Sequence, residues 1–330
     1  MVLKWKTFLI CFFFVIPSVH ATEIKFAILA PEGSTWANAT HEWDAELRQK
    51  SNGRLGLKIY SGGVLGDEQD VIRKLRIGQV QAAAFTGLGL GIINPNVRVL
   101  ELPFLFENYR EVDEVARKIQ PKLEGGFSKN GFVLLGWTET GFVNIFSNKP
   151  ITSRKSMNGM RMWAWEGDAM VENLYRVFKI TPVPLALPDV LTSLQTKLID
   201  AVYAPPLGAV ALQWFTRTKY MTTTNIGYSI GGILISQRAL ATLSPTDQQI
   251  LKETAKRYAR KVIEQLRVDN DKSYATLKNA GLQFVELDPQ EIDQLKETGR
   301  QVWTNLSGKL YPPALLDEVK GYLAEARTTP

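Results

Sequence analysis

The sequence predicts an α/β protein in two blocks, each with a mixed, mostly parallel sheet flanked by helices. Strand-like and helix-like segments alternate from residue 24 to residue 85, the order that builds parallel strand–helix–strand units. A second set of strands begins near Phe142. The length of 330 residues and the 45% content of apolar residues fit one large or two medium folded domains.

The first block is predicted from apolar alternation and from the residues that interrupt it. Pro31 to Ser34 ends the first strand, and Ser51-Asn52-Gly53 ends the amphipathic helix that follows. The predicted strands are residues 24–30, 55–60, 81–85, 97–100 and 132–136, and the predicted helices are residues 35–50, a segment ending near Gly78, and 111–123.

The second block contains a tryptophan-rich strand, residues 160–165. Trp163 and Trp165 are two residues apart and therefore point to the same side of that strand. Two large rings at the carboxyl end of a strand form either core packing or the floor of an apolar pocket. Asp168 follows as the predicted N-cap of the next helix. The other predicted strands are 142–147, 201–203 and 229–236, and the helices are 168–178 and 188–197, with later helices starting at Ser244 and Asp288.

The N-terminus is predicted to be a cleaved signal peptide, which makes this an exported, periplasmic protein. Lys4 and Lys6 precede an apolar run at residues 7–16, and small residues precede a cleavage site after Ala21. The run is short for a membrane span of about 20 residues, which disfavours an uncleaved anchor. Cys11 is the one cysteine of the sequence, so we expect no disulfide in the mature chain.

Charge patterning argues against a nucleic-acid partner. The formal net charge is +6, and removal of Lys4 and Lys6 with the signal peptide lowers it to +4 (6 − 2). Lysine and arginine are interspersed with aspartate and glutamate, and no basic block or nucleic-acid-binding motif is present. The pattern predicts a solvated surface of mixed charge.

Catalytic constellations are sparse, which predicts a binding protein and not an enzyme. His41, the one histidine after the predicted cleavage site, lies in a predicted helix and has no nucleophile near it in the sequence. Glu32, Glu139, Glu166 and Asp168 could converge as an acid–base pair or an oxygen-ligand metal site, but capping and solvated roles are favoured.

A glycine-rich segment, Gly87-Leu88-Gly89-Leu90-Gly91, follows the third predicted strand. It lacks both the spacing of a dinucleotide-binding fingerprint and the lysine of a P-loop. We therefore expect no cofactor, and we interpret the glycines as a tight turn or a close approach beside a ligand.

The sequence contains, in this order, Gly62-Gly63-Val64-Leu65-Gly66-Asp67-Glu68, Leu102-Pro103-Phe104-Leu105-Phe106, Pro182-Val183-Pro184-Leu185, Leu194-Gln195-Thr196 and Ile199-Asp200. Together these motifs resemble the DctP-type periplasmic solute-binding proteins of TRAP transporters, over residues 24–251. The resemblance implies a two-lobed, Venus-flytrap receptor with a ligand cleft between its lobes. It also implies delivery of a small-molecule ligand to a small and a large permease subunit, driven by an ion gradient.

The resemblance also suggests how the chain is divided. Residues 22–141 are assigned to lobe I, with a return segment at 230–275, and residues 142–229 to lobe II. Residues 1–21 are the signal peptide, and residues 276–330 are C-terminal helices packing across the lobes. The crossings near Phe142 and Ser229 are the expected hinges for closure around a ligand.

Three departures from the family pattern remove polar groups. Trp163 stands where most members carry an arginine that pairs with a substrate carboxylate. Ala204 stands where an asparagine is common, and Val143 where an arginine is frequent. Arg161 is at the family's lysine position and is expected to point to the other face. The cleft thus loses its anchor for a small dicarboxylate, and each large ring adds roughly 2 kcal/mol of apolar burial.

We therefore predict an apolar or amphipathic ligand larger than a C4-dicarboxylate, such as an aromatic or lipid-like acid. Some divergent members of the family pair with a tetratricopeptide-repeat periplasmic protein, and the resemblance makes such a protein a further candidate partner here. The predicted ligand-binding residues are Ser34, Trp36, Phe85, Thr86, Phe142, Trp163, Trp165, Tyr203, Pro205 and Trp214.

Two alternatives stay open from the sequence. One is an envelope accessory or interaction protein that keeps a vestigial cleft. The other is a receptor for an ordinary carboxylate that is held without the usual arginine, through Arg154, Arg217 or backbone amides.

Overall fold

The structure is a computed structural model that describes residues 21–328. The predicted signal peptide, with Cys11, lies outside the described residues except for Ala21. Within residues 21–328, no helix has both the length and the apolar character needed to cross a membrane.

The strands follow one another along the chain as β1 (Thr22–Ala27), β2 (Leu55–Tyr60), β3 (Ala82–Thr86), β4 (Phe132–Ser147), β5 (Arg161–Trp165), β6 (Thr181–Leu185), β7 (Ala201–Ala204), β8 (Tyr220–Thr222), β9 (Gly227–Ser236) and β10 (Gln283–Val285). The α-helices are α1 (Thr35–Lys50), α2 (Glu68–Ile77), α3 (Gly87–Ile93), α4 (Tyr109–Lys129), α5 (Ala169–Phe178), α6 (Val190–Gln195), α7 (Pro206–Ala211), α8 (Gln237–Ala241), α9 (Pro245–Asn279), α10 (Pro289–Leu306) and α11 (Pro313–Thr328). Short 3₁₀ helices occupy Pro95–Glu101, Arg154–Met157, Leu187–Asp189 and Trp214–Arg217.

The first sheet has the strand order β2-β1-β3-β9-β4. β1 is parallel to β2 and β3, and the connecting helices begin at side-chain caps that the sequence supplies. Ser34 accepts the Ala37 amide at the start of α1, and Asp67 forms a capping box at the start of α2. We call β1, β2 and β3 with α1 to α4 and the 3₁₀ helix Pro95–Glu101 lobe I.

The second sheet starts from the end of β4, which pairs antiparallel with β7 and β8. β5 lies between β7 and β6 and runs parallel to both. β5 is therefore an inner strand, and four of its five residues are buried. We call β5 to β8 and β10 with α5, α6 and α7 lobe II.

β4, β9 and α9 connect the two lobes. β4 pairs with β9 up to Val143 and with β7 from Asn144 onward. A register irregularity between Glu139 and Gly141 marks this crossing, and Gly141 has a φ of 113°, which favours glycine. The 35-residue helix α9 packs on the lobe I core near its start and places Leu277 in the lobe II core near its end.

The C-terminal helices contact both lobes. α10 packs on α5 of lobe II, while the indole of its Trp303 donates to the Pro103 carbonyl in lobe I at 2.9 Å. α11 packs on α4. The residue limits that the sequence suggested for the lobes remain predictions.

The predicted strand at residues 97–100 is wrong, because these residues belong to the 3₁₀ helix Pro95–Glu101. Pro95 favours the first position of a helix, and the helical turn brings Arg98 against Glu101 three residues later. The sheets are also more mixed than the alternating order suggested, since β9 runs antiparallel to both β3 and β4.

Candidate functional site

A cavity of about 260 Å³ lies between the lobes, at the carboxyl ends of β1, β3, β5 and β7. This is the edge at which open α/β sheets bind their ligands. Its lining also includes apolar side chains on the side of β5 away from Trp163. Met162 of β5, Phe178 of α5 and Leu295 of α10 are among them. The cavity is therefore both cleft-like in position and largely apolar in composition.

Lobe II contributes an aromatic wall made of Trp163, Trp165, Tyr203 and Trp214. Trp163 stacks on Tyr203 with ring centroids 4.6 Å apart and meets the edge of Trp214 at 5.1 Å. Its indole Nε1 donates to the Leu185 carbonyl at 3.1 Å, and only 1% of the residue is exposed. Trp163 is thus at once part of the lobe II core and part of the cavity wall.

Trp165 connects this wall to lobe I. Its indole Nε1 donates to Asp67 Oδ2 at 2.8 Å, and the Leu187 amide donates to the same oxygen at 3.1 Å. Asp67 is the capping residue of α2, so one carboxylate fixes the start of a lobe I helix and receives two donors from lobe II. Gln69 adds a third contact, from its Nε2 to the Glu166 carbonyl at 2.8 Å.

A buried charge cluster lies on the lobe I side of the cavity. Arg98 Nη2 donates to both carboxylate oxygens of Asp168, at 2.9 and 2.8 Å, and Nη1 lies 2.9 Å from Glu101 Oε2. The three residues are 5–6% exposed. Because Asp168 caps α5 in lobe II, this ion pair joins the lobes.

Burial and pairing act in opposite directions on these groups. Burial opposes the charge of Arg98, but Asp168 and Glu101 outweigh it and raise the pKa of the guanidinium. Burial also raises the pKa of Glu101, although Arg98 works against that shift. The cluster therefore keeps Arg98 charged, and its charge is already matched by carboxylates of the protein.

The glycine-rich segment makes room for buried carboxylates. Glu68 Oε2 accepts the Gly89 amide at 2.6 Å, and Oε1 accepts the Thr86 amide at 2.6 Å. A Cβ on Gly89 would lie 2.8 Å from Glu68, and one on Gly87 would lie 1.9 Å from Glu101. Burial is the main cause that raises the pKa of Glu68 to about 8.

The carboxylates considered as a catalytic or metal site do not converge. Glu139 accepts the Tyr228 hydroxyl at 2.8 Å and Arg267 Nε at 3.0 Å near the crossing between the lobes. Glu32 pairs with His41 at the surface, and Asp168 binds Arg98. In residues 21–328, no group of three or more His, Cys, Asp or Glu side chains is arranged to hold a metal ion.

Eight of the ten residues predicted from the sequence line the cavity. Ser34 does not, because its hydroxyl caps α1 and donates to the Pro31 carbonyl. Phe142 does not, because its ring packs between Tyr109 and Tyr228 in the lobe I core. The eight that line it are Trp36, Phe85, Thr86, Trp163, Trp165, Tyr203, Pro205 and Trp214.

The three positions at which polar groups are lost all face this cavity. Val143, Trp163 and Ala204 are lining residues. Arg161 does not line the cavity and pairs with Asp200 at the exposed start of β5, at 2.8 Å. The expectation that Arg161 points to the other face from Trp163 is wrong, because the two residues are two apart on β5 and strand side chains alternate. Arg154 and Arg217, the alternative carboxylate anchors, are not among the lining residues.

Sequence reasoning missed the charged side of the site. Arg98, Glu101 and Glu68 line the cavity. Glu139 and Asp168 line it too, although the sequence suggested acid–base, metal-binding or capping roles for them and not ligand binding. One signal was available, since Arg98 and Glu101 interrupt an apolar run at a spacing of three residues. The predicted strand concealed it, because a strand would have placed them on opposite faces.

Comparison with known proteins identifies the class of this receptor. Residues 26–309 match the bacterial extracellular solute-binding proteins of family 7, known as DctP, and the chain belongs to this family. It is therefore a solute-binding receptor of the TRAP type and not an enzyme, and it has the two-lobed α/β fold of that class.

Particular relatives cover almost the whole chain at low identity. The Escherichia coli 2,3-diketo-L-gulonate-binding periplasmic protein YiaO is 23% identical over 309 residues, which is 92% of this chain and 87% of the relative. A TRAP solute-binding protein from Xanthobacter autotrophicus Py2 with bound β-D-galacturonate has a TM-score of 0.85 and 18% identity, covering 91% of this chain and 99% of that one. The Advenella mimigardefordensis sugar-acid-binding protein, in complex with galactonate, has a TM-score of 0.86 and 20% identity, covering 93% and 98%.

Proposed function

We propose that this receptor captures an apolar or amphipathic small molecule and delivers it to a TRAP-type permease driven by an ion gradient. The observation that carries the proposal is the aromatic wall of lobe II, where Trp163, Trp165, Tyr203 and Trp214 face the cavity. Trp163 and Trp214 are 1% and 2% exposed, so a ligand would gain apolar contact mainly from Trp165 and the partly exposed Tyr203.

The substituted positions support the same conclusion. Trp163, Ala204 and Val143 stand on the wall where the family pattern places an arginine, an asparagine and a second arginine. A guanidinium at any of these positions would offer a bidentate partner to a carboxylate, whereas an indole offers a flat apolar surface. The wall therefore favours ligands with an apolar body.

The relatives suggest the main competitor, a polar organic acid such as galacturonate or galactonate, which are bound by two of the similar structures. Identities of 18–20% do not transfer a ligand to this chain. A sugar acid would need many hydrogen-bonding groups around it, and a wall of tryptophan and tyrosine rings supplies few of them.

Mass spectrometry of protein purified without added ligand, under gentle denaturation, tests the proposal. We expect a co-purified compound with an apolar body, whose re-addition raises the melting temperature of stripped protein. A sugar acid or C4-dicarboxylate in its place would contradict the proposed ligand class. Repeated absence of any compound, with no thermal response to a ligand library, would favour the accessory protein with a vestigial cleft.

Partners beyond the ligand follow from the family. Delivery to the membrane subunits is tested by uptake of the identified compound in cells with and without the permease genes. A tetratricopeptide-repeat partner rests on the resemblance to divergent members alone, and co-purification from the periplasm would test it.

A further inference from the structure

Asp168 pairs with Arg98, a buried cation of the cavity wall. Among the described residues that line the cavity, Arg98 is the only lysine, arginine or histidine. Asp168 reaches it from lobe II and accepts two hydrogen bonds from Nη2, at 2.9 and 2.8 Å. A carboxylate on a buried arginine is also the contact that an acid ligand would make.

Asp168 is held in this position by its own helix. Its Oδ1 accepts the amides of Met170 at 3.0 Å and Val171 at 3.3 Å, which are the first donors of α5. A ligand carboxylate that took over Arg98 would have to displace Asp168 from it, and these cap bonds would oppose that movement. It would also leave the Asp168 charge buried without its partner.

The remaining groups around Arg98 do not offer an anion another place. Within residues 21–328, the carboxylic acids that line the cavity are Glu68, Glu101, Glu139 and Asp168. The Tyr203 hydroxyl is buried and makes no aligned hydrogen bond to the protein within the described residues. It is an uncharged group that can accept or donate to a neutral polar group of a ligand.

We propose that Asp168 is a specificity residue that excludes carboxylate ligands from the closed receptor, so that the ligand presents an uncharged polar group beside Tyr203. The inference rests on the proposed function, because it takes this cavity as the ligand site. It narrows the ligand class from apolar or amphipathic compounds to those without an acid group at the end that lies beside Arg98 and Tyr203.

The test replaces Asp168 by serine and uses formate as the probe. Serine retains a capping oxygen for α5, removes the charge and leaves space for a one-carbon carboxylate next to Arg98. In Asp168→Ser we expect sodium formate to raise the melting temperature in a saturable way relative to sodium chloride of equal ionic strength. The expected rise is about 3 °C at ten times the dissociation constant of formate.

Two controls assign the effect to Arg98. Wild-type protein should show no saturable response to formate, and Arg98→Gln combined with Asp168→Ser should lose the response. An equal response in the wild type, or none in a folded Asp168→Ser variant, would overturn the proposal. If the variant does not fold in chloride, recovery of its circular dichroism in formate supports the proposal, and the same failure in both salts overturns it.

The formate experiment does not depend on the native ligand. A failed rescue would leave the aromatic wall and any co-purified apolar compound in place. If the proposed ligand class is wrong, mass spectrometry will show a sugar acid or a C4-dicarboxylate bound to the purified protein. That result does not depend on how Asp168→Ser responds to formate.

Discussion

The two sides of the cavity are built from different chemistry. Lobe II presents stacked rings, with Trp163 against Tyr203 and Trp214, and the indole nitrogen of Trp163 donates to the Leu185 carbonyl. Lobe I presents buried charge, with Arg98, Glu101 and Glu68 around the glycine-rich helix α3. The difference teaches that the two surfaces serve separate purposes here. The rings form a surface for a ligand, and the Arg98–Asp168 ion pair joins the lobes.

Removing Arg98 should produce the largest loss of stability. Arg98→Met leaves Asp168 and Glu101 buried without a cation, which costs about 3–5 kcal/mol of unfolding free energy. Denaturant unfolding measures the loss. Arg161→Met is the matched control, because it breaks an arginine–aspartate pair at the surface and should cost much less. Equal losses would show that the buried pair does not hold the lobes together.

Truncating Trp163 tests the aromatic side. Because the residue is 1% exposed, Trp163→Ala should cost about 3–5 kcal/mol of stability as well as binding affinity. Trp36→Ala is the control, since Trp36 lines the cavity from lobe I but is partly exposed. It should weaken binding at a smaller cost in stability. Unfolding curves and tryptophan fluorescence titrations separate the two effects, and normal binding by a destabilised Trp163→Ala variant would remove Trp163 from the site.

Helix α3 packs closely against Glu68, so adding a methyl group at Gly89 should lower the free energy of unfolding by less than the two substitutions above. In Gly89→Ala the new methyl group would lie 2.4 Å from the Phe85 ring and 2.8 Å from Glu68, which should cost about 1–3 kcal/mol. Gly125→Ala in α4 has open space around its Cβ and should stabilise the protein by up to about 1 kcal/mol. Thermal unfolding of both variants checks the contrast, and similar changes in the two would contradict close packing at Gly89.

Glu68 predicts a slope of stability with pH. The folded protein holds the Glu68 proton up to about pH 8, whereas the unfolded chain releases it near 4.5. The folded state binds more protons between these values, so its stability should fall as the pH rises through this window. Denaturant unfolding at pH 5, 6, 7 and 8 should show a flatter profile for Glu68→Gln than for wild type. Identical slopes would exclude Glu68 as the source.

The aromatic half of the site was predictable from sequence, and the charged half was not. Trp163 and Trp165 share a face because strand geometry alternates, and Asp168 was predicted as a cap from its place after the turn. Local pattern was sufficient in both cases. The family resemblance then identified Trp163, Ala204 and Val143 as cleft positions.

The charged half depends on contacts between distant parts of the chain. Arg98 meets Asp168 across 70 residues, and Asp67 meets Trp165 across 98. The periodic spacing of apolar residues within one helix or strand cannot predict contacts between residues so far apart in the sequence. Ser34 and Phe142 were misplaced for a related reason, because a capping hydroxyl and a core ring have the same sequence character as cleft residues. The alternation of apolar and polar residues also cannot predict that β9 runs antiparallel between β3 and β4, because it does not specify the partner of a strand.

A crystal structure of the receptor with the compound identified by mass spectrometry tests the central claim most directly. The account predicts the apolar body of the ligand against Trp163, Tyr203 and Trp214, with the Arg98–Asp168 pair intact. A ligand carboxylate bound to Arg98, with Asp168 displaced from it, would contradict the account.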